Sequence, residues 1–255
     1  MSLMLAAVLF TFTADRPYTP EERAWRELIA SRLDAWPAQA EMVGVPYDPA
    51  PPPERVSIVL DRRGERDAMT AGTQTIVFDA AALQKAYGDA ATNENAERLD
   101  RLFRHEFAHL LQKSWLRTHP YDASTPFRAA LLAIWREGLG THHSMSARWR
   151  GHSPLARETR QKLEPRFVTR LAALACASHA DAEALTADLN EGAFDEKWGS
   201  LPVALWLDAE GRDAERRLVL AGPDAIPALA KRHLPPELAR VLDETLLVAA
   251  RCAPR

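Results

Sequence analysis

Residues 104–111 read RHEFAHLL, two histidines four apart with a glutamate directly after the first and apolar residues around them. On an α-helix, residues i and i+4 project from one face, so the imidazoles of His105 and His109 can reach a single metal ion. Glu106 is turned about 100° from His105 and points next to such an ion, where a carboxylate can take a proton from water. Zinc suits the arrangement, because it accepts imidazole and carboxylate ligands tetrahedrally and keeps a fourth position open. Chance yields the five-residue pattern in about two chains per hundred. The surroundings of the motif must therefore carry the reading.

Those surroundings predict a helix. Thr92 or Asn93 caps the run ENAERLDRLFRHEFAHLLQKSW, in which Leu99, Phe103, Phe107, Leu110 and Leu111 fall on one arc. His105 and His109 lie on the flank of that arc, at the edge of the core, where a cleft is expected. A second helix begins with Thr125 as cap and Pro126 as first residue, and FRAALLAIWREGLG continues it until Gly138 and Gly140 loosen it. Glu137 then stands in its last turn. A glutamate near a helix end is commonly just solvated, but this one sits between Trp135 and Gly138 on a helix apolar enough to pack. It is the candidate third ligand.

Upstream, PEERAWRELIASRLDAW has helical spacing, the proline-rich PYDPAPPPERV is a connector, and VSIVLD and TQTIVFD read as strands over 56–60 and 75–78. The AGT between them is a turn. From about residue 155 the chain is rich in Ala, Leu and Arg with helical spacing. We expect an α+β N-terminal half, 1–150, with a small sheet and two active-site helices, and a mainly helical C-terminal part, 151–255, closing one wall of the cleft. The apolar run over 3–14 matches a signal-peptide core or a buried strand equally well, and is too short to span a bilayer. The first reading favours a periplasmic or secreted protein, the second a cytoplasmic one. The MSL before Met4 also fits a cloning remnant.

With 47% hydrophobic residues in 255, a folded core is expected, and a net charge of -3 from interspersed charges offers no basic face for nucleic acid or anionic lipid. No stable membrane insertion is expected. Cys176 and Cys252 are too few for a disulfide framework and have no metal-ligand spacing, so no disulfide is predicted.

The residues HEFAH and WREGL together resemble the gluzincins, zinc metallopeptidases in which HEXXH on one helix is followed by a glutamate ligand on the next. The resemblance covers about residues 55–145 and implies a zincin-like fold. It implies one zinc per chain held by His105, His109 and Glu137, with Glu106 as general base and a peptide or protein as substrate. It also implies that TQTIVFD is a sheet edge along which an extended peptide binds. The class with HEXXHXXGXXH is excluded, since LLQKSWL follows His109. Many gluzincins carry an acidic residue four positions after the glutamate ligand to orient a histidine, and here that position is Thr141. A Tyr or His is expected to support the oxyanion, and Tyr121, His142 and His143 are the nearest candidates. Two other readings stand beside this one: a zinc-dependent hydrolase of a non-peptide substrate, and a non-catalytic interaction protein that keeps the fold.

Overall fold

The computed structural model describes residues 8–48, 52–151 and 153–252. Residues 3–7 of the apolar run, 49–51 of the proline-rich connector and His152 lie outside the described residues. The chain divides into two compact units, Met1–His119 and Pro120–Arg255. The class is α+β, with one four-stranded sheet and helices making up most of the rest.

The first unit runs β1 (Leu9–Thr13), α1 (Pro20–Arg32), α2 (Trp36–Gly44), β2 (Arg55–Asp61), β3 (Ala68–Ala71), β4 (Thr75–Asp79), α3 (Ala80–Tyr87) and α4 (Asn93–Thr118). The described part of the first apolar run is therefore largely strand. The sheet order is β1-β2-β4-β3, with β1, β2 and β4 parallel and β3 antiparallel to β4. TQTIVFD is thus not a sheet edge, because β4 lies between β2 and β3. Ile76, Val77 and Phe78 are buried one after another, the continuous apolar run of a strand covered on both faces rather than the alternation of a half-exposed one.

Among the described strands, β3 forms the edge on that side. It joins β4 through the expected turn, where Gly72 takes φ +61°, the left-handed region a glycine enters without steric cost. Asp79 N donates to Asp67 O at 3.1 Å. In an antiparallel ladder the bonded pairs alternate, so Met69 and Ala71 bond to Val77 and Thr75 while Ala68 and Thr70 turn their backbone groups outward.

Helix α4 starts where the sequence places its cap, with Thr92 Oγ1 accepting from Asn95 N. Its apolar arc is buried as patterned: Leu99, Phe103, Phe107, Leu110 and Leu111 are each at most 1% exposed. Phe103 stacks on Trp36 with ring centroids 4.5 Å apart. On another side of the same helix, Lys113 Nζ donates to Thr70 Oγ1 and to Gly72 O, both at 2.8 Å. This ties the edge strand to the helix that carries the histidines.

The second unit contains α5 (Pro126–Ser144), α6 (Pro154–Leu174), α7 (His179–Thr186), α8 (Ser200–Glu210), α9 (Arg212–Ala221), α10 (Ile226–His233) and α11 (Pro236–Cys252). Thr125 caps α5 by accepting from Arg128 N. The helix does not loosen at Gly138 and Gly140 but continues to Ser144, so Glu137 stands in its interior. The reason lies in packing. A Cβ on Gly138 would fall 2.6 Å from Val203 Cγ1, so the glycine permits close approach of α8 rather than ending α5. Trp135, fully buried, donates its indole N–H to Leu218 O. A disulfide joins Cys176, just past α6, to Cys252 at the end of α11, with Cα atoms 5.5 Å apart. That pairing was not predicted, because two cysteines 76 residues apart meet only through the packing of α11 on α6. No described helix is long and apolar enough to cross a membrane.

Candidate metal centre

The regular turn of α4 brings the two histidines together. Their Nε2 atoms are 3.0 Å apart, and the rings stand nearly perpendicular at 88°. Two nitrogens each about 2.0–2.1 Å from one tetrahedral zinc stand ~3.3 Å apart, so the pair already has close to the spacing a shared ion demands. His109 is 5% exposed, and its other nitrogen, Nδ1, lies 2.8 Å from Oε1 of Gln112, a side chain that is itself fully buried.

Glu106 follows the first histidine and is only 7% exposed. Among the described residues, no hydrogen bond or ion pair reaches its carboxylate.

Glu137 is half-buried on α5. His105, His109 and Glu137 each offer one ligand atom, these atoms lie within 4.8 Å of one another, and the group can hold a metal ion. Among the described residues no second such group occurs. Two imidazole nitrogens and one carboxylate oxygen fit zinc or a similar transition metal better than calcium or magnesium, which prefer oxygen alone.

The three candidates for oxyanion support have partners of their own in the second unit. Tyr121 donates to Asp224 Oδ1 at 2.8 Å, with the Arg128 guanidinium over its ring. Burial, then Asp224, pushes the phenol's pKa up. His143 Nε2 is 2.5 Å from Glu215 Oε1, and His142 Nε2 is 3.8 Å from Glu215 Oε2. Burial lowers the His142 pKa to about 4, which keeps that imidazole neutral at pH 7. For Glu215 burial acts upward, but His143 and His142 outweigh it and hold the carboxyl below its ordinary range. None of these three belongs to the metal-capable group. Thr141, at the position where an acidic partner was sought, is buried. Of the remaining described histidines, His119 stacks on Trp115 and His233 contacts Glu210.

Two residues escaped the sequence reading. Gln112 had a visible signal, since it is three positions after His109 on the same helical face and is polar within an apolar turn. Lys113 had none, because its role depends on where β3 lies. Compared with known proteins, the chain matches no family model, no curated protein and no solved structure.

Proposed function

We propose that this protein is a zinc-dependent metallopeptidase of the gluzincin type, with His105, His109 and Glu137 as the ligands of one zinc ion and Glu106 as general base. In this reading α4 and α5 are the two active-site helices of a zincin-like fold. The observation that carries it is Glu106: a largely buried residue whose carboxylate no described protein group engages, directly after a histidine whose Nε2 converges with that of His109. A purely structural zinc site closes its fourth position and needs no base, so this residue favours turnover over a non-catalytic role.

When bound, zinc supplies Lewis acidity, polarising a carbonyl and bringing the pKa of water to about 7. Glu106 accepts the proton of the attacking water and passes it to the nitrogen of the leaving amine. Metal and base do not choose an amide over an ester. The edge strand favours a peptide, because Ala68 and Thr70 turn backbone groups outward on the strand that Lys113 ties to α4. An extended chain can pair there, backbone to backbone.

The test is Glu106→Gln, close to isosteric and unable to accept the proton. It is expected to keep wild-type zinc content and circular dichroism while cleavage of a peptide library falls about 10²-fold or more. Equal turnover by the two proteins would remove Glu106 from the chemistry, and a wild type that neither holds zinc nor cleaves any peptide would overturn the reading.

A further inference from the structure

We propose that Gln112 is the positioning residue for His109: its side-chain oxygen holds the proton of His109 on Nδ1 and so keeps the Nε2 lone pair free for the metal. This rests on the zinc reading given above. The geometry is local to α4. Gln112 Oε1 and His109 Nδ1 are 2.8 Å apart, the two residues stand three positions apart on one helical face, and Gln112 is 0% exposed. Water therefore does not compete for the contact.

The sense of the bond is given by Gln112, which turns its oxygen and not its amide nitrogen toward Nδ1, and the 3.0 Å between the Nε2 atoms of His109 and His105 leaves room for a single proton between the rings. Were Gln112 to present its amide N–H to Nδ1, the ring proton would move to His109 Nε2 and occupy the ligand position. With the oxygen toward Nδ1, His109 Nε2 is an acceptor and His105 supplies the one proton that lies between the rings in the metal-free protein. A ligand histidine usually has its second nitrogen held in this way, and loss of the holder costs about 10–100-fold in metal affinity. Thr141 stands where many gluzincins carry an acidic residue for that task. Gln112 performs it from the helix of the two histidines, with a neutral oxygen.

Nitrogen-15 NMR of the metal-free wild type reads the tautomer directly and is expected to place the His109 proton on Nδ1. Zinc Kd, measured by competition with a chromophoric chelator, is expected to weaken about 10–100-fold in Gln112→Met at an unchanged Tm. Gln112→Glu, which keeps an acceptor in the same place, should restore affinity to near that of the wild type. A His109 proton on Nε2, or a folded Gln112→Met that binds zinc as the wild type does, overturns the role of Gln112. Should Gln112→Met fail to fold, the wild-type tautomer decides alone. A wild type that binds no zinc overturns the metal reading, and the positioning role with it.

Discussion

Replacing Gly138 by alanine asks how tightly α5 and α8 pack next to the glutamate at 137. The new methyl would lie 2.6 Å from Val203 Cγ1 and 2.8 Å from Val203 Cβ, whereas carbon atoms rest at about 3.5–4.0 Å. The Cβ of Val203 is fixed to its backbone, so rotating the side chain does not relieve the contact and the helices must part by about 1 Å. Overpacking of this kind costs about 1–3 kcal/mol, against which alanine gains about 1 kcal/mol in helix propensity. A net loss of up to about 2 kcal/mol follows, or up to roughly 8 °C in Tm for a chain of this size. Thermal unfolding followed by circular dichroism measures it. The double variant Gly138→Ala with Val203→Ala should lose less than the two single losses added together, because the second change removes the atoms struck by the first. A rise in Tm for Gly138→Ala alone, as at a solvent-exposed helical glycine, would refute the close-approach argument.

Thr70→Pro removes an outward N–H from the edge strand without touching the bonded pairs of the ladder, so KM for a peptide should rise several-fold while zinc content holds; unchanged kinetics in a folded variant would place the substrate elsewhere. Ile76→Pro, by contrast, strikes a strand bonded on both sides, and is expected to yield insoluble or unfolded protein on expression. Glu210 accepts from Arg232, Arg217 and His233, and these, Arg232 foremost, bring its carboxyl down to about 2. A carboxyl lowered on folding adds stability that is present above its ordinary value near 4.5 and is lost as pH falls toward 2. Glu210→Gln should therefore lower stability at pH 7 by up to about 1 kcal/mol, allowing for solvent screening, and the deficit should vanish near pH 2 in urea titrations.

The parts of this molecule written in local chemistry are legible in the sequence. Thr92 and Thr125 announce helix starts through bonds that span three residues, Pro126 through its fixed φ at the first helical position, and the arc from Leu99 to Leu111 is a matter of 3.6-residue periodicity. The pairing of His105 with His109 follows from the same turn. What depends on distant partners was not readable. Gly138 looks like a breaker until Val203 is known to lie against it. The gluzincin resemblance implies an edge place for TQTIVFD, although three consecutive apolar residues in a strand are themselves a sign of an interior place. The short β3, AMTA, carries no β-branched run to announce it. Tyr121, His142 and His143 were chosen for nearness in sequence, which says nothing of the acidic side chains, Asp224 and Glu215, that each one meets.

The Cys176–Cys252 link also decides how the second unit would bear mechanical load. Tension applied to the two chain ends enters this region at Cys252 and leaves through the sulfur bridge to Cys176, bypassing α7 to α11 altogether. Those helices would feel no pull while the bridge is intact. A chain stretched by optical tweezers would come up short by the contour length of the bridged segment, about 250 Å for a separation of 76 residues at full extension. Adding a reductant during the pull would release that length and expose α7 to α11 to the tension for the first time.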